Sequence, residues 1–206
     1  MGRRSNHTGS ELRELILDAA EGLIETGGLA GLSAREIAKR NGYSPGTIYN
    51  VFENLDDVIL HVEARLLDAL AHRLSELKLS GDPAGQVHDL ARAYLQFTHD
   101  NPRLWNLLFE HHLPAGTEVP SSYREKLEGL MGQVETALAP LMPRSDRGHL
   151  ERAARVLWAG VHGITSLSTA DKLSNVTAET AGPLVDLLVT TFLAGLKSGI
   201  QLPRCA

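Results

Sequence analysis

The segment around residue 47 carries side chains that could read the edges of DNA bases. The amide of Asn50 can make two hydrogen bonds to an adenine edge, and the methyl group of Thr47 can contact thymine. Tyr49 could bind a phosphate through its hydroxyl, and Gly46 would let a sugar–phosphate backbone approach closely because it lacks a side chain. The alternatives are a solvated helix face for Thr47 and Asn50 and a packing role for Tyr49.

Basic side chains cluster beside this segment. Arg35, Lys39 and Arg40 lie on one short predicted helix, and Arg3 and Arg4 lie on an N-terminal arm. Positive charge at such a face can hold phosphates even in an acidic domain, because phosphate neutralisation is local. We therefore expect any affinity for DNA to fall steeply as salt rises.

The overall charge argues against a broadly basic nucleic-acid-binding protein. The 206-residue chain has a net charge of -5, and residues 1–57 contain six basic and nine acidic side chains. A protein that binds nucleic acid through an extended basic surface would have the opposite balance. Composition alone therefore argues against DNA binding, and any contact with DNA must be confined to a small surface.

A helix-turn-helix would position the candidate DNA-contacting side chains. After a first amphipathic helix, Ser33 begins a second helix in a capping box with Glu36, and Asn41-Gly42 ends it. Ser44 is expected to cap the third helix, with Pro45 at its first position. The ends of helices that begin at Ser33 and Ser44 could also meet phosphates through backbone N–H groups.

The third helix is expected to fill about two turns. Ile48 and Phe52 would face the core, which would leave Thr47 and Asn50 exposed. Two short helices joined by a glycine turn are typical of the motif in which the second helix presents its N-terminal residues to the major groove.

The remaining sequence predicts an all-α protein of about nine helices. The fourth helix is expected to begin near Asn54, with Asp56 and Asp57 in its first turn. Further helices are expected at about residues 84–100, 102–111, 121–141, 147–170 and 178–198. The predicted organisation is a flexible arm (1–9), a helix-turn-helix domain (10–53), a ligand-binding and dimerisation domain (54–200) and a tail (201–206).

The stretch from Leu32 to Leu60, LSAREIAKRNGYSPGTIYNVFENLDDVIL, closely resembles the DNA-binding signature of TetR-family repressors. The resemblance rests on a capped short helix, then a glycine, then the run Gly46-Thr47-Ile48-Tyr49, then Phe52 and an acidic helix start. It implies a homodimeric cytoplasmic regulator, a repressor, whose paired recognition helices bind a palindromic operator. Many family members carry a phosphate-binding lysine where this chain has Leu55, so that contact is missing or is supplied from elsewhere.

A second resemblance lies in the C-terminal part. The run AYLQF at residues 93–97, Asn101-Pro102, Trp158 and His162-Gly163 are similar to a TetR-family C-terminal class named for a Trp-His-Gly motif. This class implies a domain that binds a ligand and dimerises.

We expect a small, largely apolar effector to bind in this C-terminal part. A ligand site needs apolar walls and a few polar groups. The candidate residues are Tyr94, Phe97, Thr98, Trp105, Phe109, Trp158 and His162. The alternative is ordinary core, and we expect half of the set to line a cavity. A buried His162 would need a hydrogen-bond partner from the ligand, the protein or water.

The last two helices carry small and apolar residues on more than one face, which suggests that each buries a second face against a partner. We predict a two-fold four-helix dimer interface. Its candidate residues are Gly160, Gly163, Leu184, Leu188, Phe192 and Gly195.

Other chemistries find little support in the sequence. The single cysteine, Cys205, cannot form an internal disulfide, and no nucleophile elbow or phosphate-binding loop is present. His111 and His112 are adjacent, so their side chains would diverge on a helix. No apolar run approaches the roughly 18 residues of a membrane span. We therefore predict no catalytic residue, no metal, no cofactor and no membrane contact, in a reducing cytoplasm.

Two alternative functions stay open. One is a helical ligand-binding or enzymatic protein that no longer acts on DNA, which the acidic balance and Leu55 favour. The other is a transcriptional activator built on the same scaffold.

Overall fold

The computed structural model describes residues 8–198, and these residues form helices joined by short connections. The α-helices are α1 (Gly9–Gly27), α2 (Ala34–Asn41), α3 (Pro45–Ile48), α4 (Leu55–Ser75), α5 (Pro83–Asp100), α6 (Pro102–Glu110), α7 (Ser121–Leu138), α8 (Arg147–Thr169) and α9 (Ala181–Lys197). Single turns of 3-10 helix lie at Leu29–Gly31, Ala139–Leu141 and Leu173–Asn175. The predicted all-α fold is confirmed, and no strand occurs between residues 8 and 198.

Some predictions fall on residues outside this range. Arg3 and Arg4 of the predicted arm and Cys205 of the predicted tail lie outside the described residues.

The described chain divides into two compact units. The first combines the residues up to Leu66 with Arg103–Val119, and the second combines Leu67–Pro102 with the residues from Pro120 onward. Helix α4 contributes to both units, and α6 belongs to the first. The functional boundary expected between residues 53 and 54 remains a prediction.

Side-chain caps define the starts of α1 and α2. Thr8 and Glu11 form a reciprocal capping box, in which each side chain accepts the backbone N–H of the other residue, at 3.2 and 2.7 Å. At α2, Ser33 accepts the N–H of Glu36 at 3.2 Å as predicted. The Glu36 carboxylate, however, lies 3.6 Å from the Lys39 ammonium. The reciprocal box predicted at α2 is therefore found at α1 instead.

The first unit has an apolar core to which α1, α2, the α3 region and α4 all contribute. Its fully buried side chains include Ile16, Ala20, Ile24, Ile37, Ile48, Phe52, Val58 and Val62. A long-range hydrogen bond adds to this packing, because the Asn41 amide donates to the Leu15 carbonyl at 2.9 Å. This bond fixes the C-terminal end of α2 against α1.

Helix α3 is shorter than predicted. Only Pro45–Ile48 is α-helical, and the chain continues in tight turns, with N–H groups of Val51 and Phe52 donating to the Ile48 carbonyl at 3.1 and 3.0 Å. Gly46 and the β-branched residues Thr47 and Val51 disfavour a longer helix. Pro45 lies at the helix start, as predicted.

The second unit packs α5 against α7, α8 and α9. Its buried side chains include Val87, Leu90, Leu130, Leu138, Ala154, Leu157, Val161, Val185 and Val189. Arg92 of α5 donates two hydrogen bonds to Asp186 of α9, at 2.8 and 2.9 Å, and these bonds lower the pKa of Asp186. The pair joins α5 to α9 at the surface of the second unit.

None of the described helices combines the length and the apolar character that crossing a membrane requires.

We expect Gly42→Ala to destabilise the first unit by about 1 kcal/mol, since Gly42 ends α2 in the left-handed region, at φ +71°. Urea denaturation monitored by circular dichroism would measure the change. Gly27→Ala is the matched control, because Gly27 lies at the end of α1 without a positive φ and with open space around it. Equal stability of Gly42→Ala and wild type would show that the turn does not need glycine.

Candidate nucleic-acid interface

The nine candidate DNA-contacting residues all lie in the first unit, on α2, α3 and the turns beside them. Most of them are exposed: Arg35, Lys39, Arg40, Ser44, Gly46, Tyr49 and Asn50. Ser33 and Thr47 are half-buried. The structure thus places the candidate residues on one continuous stretch of chain from residue 33 to residue 50.

Burial of two side chains orients the segment around α3. Ile48 and Phe52 are buried in the first unit, as predicted. Tyr49, between them in sequence, is 52% exposed, and Asn50 is exposed as well. The apolar anchors thus turn the polar side chains toward solvent.

Ser44 precedes α3, but its side chain does not cap the helix as predicted. No side-chain cap bond forms at the start of α3, and the Ser44 hydroxyl lies 3.1 Å from the Thr47 hydroxyl instead. The Thr47 N–H donates to the Ser44 carbonyl at 2.9 Å. These two contacts hold Thr47 in one orientation at the start of the exposed segment.

The basic residues of α2 have distinct surroundings. Lys39 keeps 75% of its side chain exposed, and its contact with Glu36 is a surface pair of little energetic weight. The Arg40 guanidinium lies against Gly22 of α1, where an added Cβ would come within 2.9 Å of Nη1. The missing side chain at Gly22 therefore makes room for Arg40, a long-range relation that the sequence pattern did not reveal.

A polar and aromatic cluster supports the turn between α3 and α4. The Arg13 guanidinium lies 4.5 Å from the centre of the Phe52 ring and donates to Nε2 of His61. His61 Nδ1 in turn donates to the Asp57 carbonyl at 2.7 Å, since a carbonyl oxygen only accepts. Asp57 Oδ2 accepts the Glu53 N–H at 3.0 Å. Sequence reasoning missed Arg13 and His61, because their contact spans 48 residues.

Acidic residues of α1 converge on one arginine of α4. Arg65 donates to Asp18 at 2.9 Å, to Glu21 at 3.0 Å and also to Glu14. Partial burial opposes the charge of Arg65, but the bonds to Glu21 and Asp18 outweigh it and raise its pKa. Part of the negative charge counted in residues 1–57 is thus compensated within the unit.

The start of α4 offers no cation at the position of Leu55. Leu55 is half-buried, and the Asn54 side chain accepts the Asp57 N–H at 2.9 Å. Any phosphate contact near this helix end must come from backbone N–H groups or from other residues.

A second group of candidates lies in the second unit. The Tyr94 hydroxyl and Nδ1 of His162 share a hydrogen bond at 2.9 Å. The His162 ring stacks on Trp158 with centroids 5.1 Å apart and planes 7° apart. Burial lowers the pKa of His162, which favours the neutral ring. The structure thus joins α5 and α8 through an aromatic group with a polar edge.

The other candidate ligand-binding residues differ in burial and in the unit to which they belong. Phe97 is buried, and the buried Thr98 hydroxyl donates to the Leu95 carbonyl at 2.8 Å. Trp105 and Phe109 lie on α6 in the first unit, with ring centroids 6.1 Å apart. Trp105 is buried, whereas Phe109 is 44% exposed. The seven candidates are therefore divided between the two units.

A small surface cavity of about 270 Å³ lies in the first unit. Its lining residues are Thr26, Gly27, Gly28, Arg103, Asn106 and Glu110, and none of them is a predicted ligand-binding residue. Across residues 8–198, no three His, Cys, Asp or Glu side chains are grouped as metal ligands would be.

The outer sides of α8 and α9 form an apolar face. Val156 is 58% exposed and Leu187 is 61% exposed, and Leu167 is also exposed. The exposed residues Ala159, Gly163, Thr191 and Ala194 continue the face at helical spacing. Val156 and Leu167 were not among the predicted interface residues, although both follow the helical spacing of Ala159 and Gly163.

The predicted dimer-interface residues do not all lie on this face. An added Cβ at Gly160 would come within 2.8 Å of Leu188, so these two residues serve the packing of α8 against α9 inside the chain. Gly163 is exposed, with nothing within 4 Å of an added Cβ. Leu184, Phe192 and Gly195 are half-buried.

We expect the stability of the second unit to fall as the pH drops below about 6.5, the pKa of an unperturbed histidine. The lowered pKa of His162 means that the unfolded chain binds this proton first, so the stability is present above that pH and lost as the pH falls. Urea denaturation between about pH 7.5 and 5 would measure it. His162→Gln should flatten this part of the profile, and the exposed His72→Gln should not. Identical profiles for the two variants would contradict the assignment.

Two protein-family models match the chain. Residues 16–62 match a model described as bacterial regulatory proteins, tetR family. Residues 87–192, more than half of the chain, match a model described as tetracyclin repressor-like, C-terminal domain. Comparison with the curated proteins finds no significant match.

Solved structures share the fold over almost the whole chain. A protein of unknown function from Rhodococcus sp. RHA1 has a TM-score of 0.74 and 22% identity, over 95% of this chain and 98% of its own. A transcriptional regulator from Rhodococcus sp. Rha1 has a TM-score of 0.67 and 25% identity, over 89% and 96%. A tetR-family transcriptional regulator from Streptomyces coelicolor has a TM-score of 0.68 and 19% identity, over 97% and 83%. The likeness to these proteins is one of fold.

Proposed function

Because the chain belongs to the TetR family of bacterial regulatory proteins, we propose that it is a repressor that a small, largely apolar molecule releases from a palindromic operator. The observation that carries the DNA-binding part is the anchored segment after Ser44. Ile48 and Phe52 are buried, while Tyr49 and Asn50 are exposed beside them.

The DNA contacts are divided by chemistry. Asn50 and Thr47 contact base edges, and Tyr49 contacts a phosphate. Gly46 allows the backbone to approach, and helix ends that begin at Ser33 and Ser44 present N–H groups to phosphates. Arg35 also contacts the DNA, and Lys39 and Arg40 add positive charge from α2. Most of these residues are exposed, which supports this division, whereas Ser33 and Thr47 are half-buried.

A homodimer is supported by the exposed apolar face of α8 and α9. Val156 and Leu187 are large apolar side chains exposed by more than half, and contiguous exposed apolar surface marks interaction sites. Four helices, two from each copy, would bury this face around a two-fold axis. The two copies would then present two recognition segments to the half-sites of a palindrome.

The effector site is supported by the aromatic group of the second unit. Trp158, Tyr94 and Phe97 supply apolar surface, and the Tyr94–His162 pair supplies the polar atoms that would orient a ligand. The similarity of Trp158 and His162-Gly163 to the Trp-His-Gly class remains a prediction. Release requires that the effector bind better to a conformer whose recognition segments no longer match two adjacent major grooves.

Selection from a random pool of duplex DNA tests the proposal without knowledge of the operator. We expect a palindrome to be enriched, with binding that weakens as salt rises. Asn50→Ala should cost about 1–3 kcal/mol of discrimination at one base pair in each half-site. Lys39→Ala should weaken all sequences alike and reduce the salt slope by about 1 per subunit.

Lys78→Ala is the matched control, because Lys78 is exposed but belongs to the second unit. It should leave both the selectivity and the salt slope unchanged. If no sequence is enriched at low salt, the chain does not bind DNA selectively, and a helical ligand-binding protein becomes the better interpretation. A transcription assay with the selected site then separates repression from activation.

We expect Leu187→Asp to convert the dimer to a monomer and to abolish binding to the palindrome. An unpaired charge buried in the interface costs about 3 kcal/mol or more, which weakens association by about 100-fold or more. Sedimentation equilibrium would measure it, with circular dichroism to confirm folding.

Leu127→Asp on α7 is the control for this substitution. Leu127 is 42% exposed but lies on another helix of the same unit. A Leu187→Asp protein that still dimerises like Leu127→Asp would place the interface elsewhere.

A further inference from the structure

A glutamate is buried among the apolar residues of α4. Glu63 is only 3% exposed, and its neighbours Ile59, Val62, Leu66 and Leu67 are buried too. An ionised carboxylate in such a place is costly unless it is paired and hydrogen-bonded. None of the proposed DNA contacts involves Glu63.

His111, which directly follows α6, lies between Glu63 and a second carboxylate. Its Nδ1 is 3.0 Å from Glu63 Oε1, and its Nε2 is 3.3 Å from Asp56 Oδ1. Only 6% of the His111 side chain is exposed. Glu63 and Asp56 are seven residues apart on α4, so both face the same side of the helix.

The two contacts together require more protons than a neutral ring and two ionised carboxylates supply, if both are hydrogen bonds. A carboxylate only accepts hydrogen bonds, and a neutral imidazole has a single N–H. Both contacts can be hydrogen bonds only if the ring carries two protons, or if Glu63 or Asp56 carries one and donates it to the ring. In either case the cluster holds one proton more than a neutral ring flanked by two ionised carboxylates.

We propose that Glu63, His111 and Asp56 form a proton-operated clamp that fastens the C-terminal end of α6 to α4. The other end of α6 is held without a titrating group, because Arg103 donates to the carbonyls of Glu25 and Thr26 at the end of α1. Loss of the shared proton would break one of the two bonds to His111, and the ring could then no longer join both carboxyl groups. Rising pH therefore opens the clamp, and falling pH closes it.

The charged groups around His111 support this assignment. Asp56 and Glu63 face it from α4, and Glu110 and His112 are its chain neighbours. Both neighbours are exposed, and His112 Nδ1 donates to the Glu110 carbonyl at 2.8 Å. Asp57 beside Asp56 is engaged elsewhere, with His61 and the Glu53 N–H.

The clamp acts on the segment that leads out of α3. Asp56 lies in the first turn of α4, a few residues after the anchored Phe52. Proton occupancy would thus determine how firmly the start of α4 is held. This device does not depend on the proposed function, because it concerns the fold of the first unit whether or not the chain binds DNA.

Amide hydrogen exchange on the full chain tests the clamp between about pH 6 and 9, after correction for the intrinsic exchange rate. The amides at the end of α6 report on it, among them His111, whose N–H donates to the Leu107 carbonyl at 2.9 Å. We expect their protection to fall by up to about tenfold per pH unit once the proton is lost. Amides of α1 near Thr26 are the internal reference and should keep constant protection.

The variant Glu63→Gln removes the titrating carboxyl group but keeps a side chain of nearly the same size. The introduced side-chain amide can donate to Nδ1 of a neutral His111, whose Nε2–H still donates to Asp56, so the clamp stays closed at every pH. Protection at the end of α6 should then be high and independent of pH. The matched control His112→Gln should keep the pH dependence of the wild type.

Two results would overturn the proposal. One is wild-type protection at the end of α6 that does not change with pH, and the other is a Glu63→Gln protein with the wild-type pH dependence. If Glu63→Gln does not fold, nitrogen NMR of the wild-type histidines decides. The clamp requires that a proton be lost from the His111–Glu63 pair as the protection falls, and a ring whose nitrogen shifts stay constant through that transition would contradict it.

Discussion

A single helical turn is not stable on its own in water. The proposed DNA-reading segment contains only one such turn, α3. The shape of α3 therefore depends on the burial of Ile48 and Phe52 in the core of the first unit. Arg13 covers the Phe52 ring and connects it to His61 of α4, so α1 and α4 both restrain the turn after α3. Burial of these two anchors leaves Tyr49 and Asn50 exposed and Thr47 half-buried. A binding surface on such a short element is only as well defined as the core beneath it.

The net charge of the first unit does not predict the local charge of the surface formed by α2 and α3. Arg65 pairs with three carboxylates of α1, and His111 lies between two carboxylates of α4. Arg65 compensates part of the negative charge of α1 within the unit, whereas Lys39 of α2 stays mostly exposed. Because coulombic attraction to phosphate is screened over about 10 Å at moderate salt, the nearest charges dominate the contact. An acidic domain can thus carry a locally basic face.

The sequence predicted the features that depend on neighbouring residues. The Ser33 cap, the Gly42 helix end, the place of Pro45 and the burial of Ile48 and Phe52 all follow from local spacing. The predicted length of α3 was too great, because helical spacing does not reveal where a chain changes from helix to tight turns. It did not predict the contacts of Arg13 with His61, of Arg40 with Gly22 or of Glu63 with His111. Those contacts join residues far apart in the chain, and no local pattern specifies which distant side chain will arrive.

Helix α8 shows why small residues alone are a poor guide to an interface. Gly160 lets α8 approach Leu188 of α9 inside the chain, while Gly163, one turn further, lies on the exposed face with Val156 and Leu167. The same helix carries Trp158 and His162 on the side that meets Tyr94. Successive residues of a helix are about 100° apart, so a rotation of α8 that accommodates a ligand at His162 must also move the exposed face beside it. If a dimer is built on that face, a ligand at His162 would therefore also change the surface through which the two copies associate.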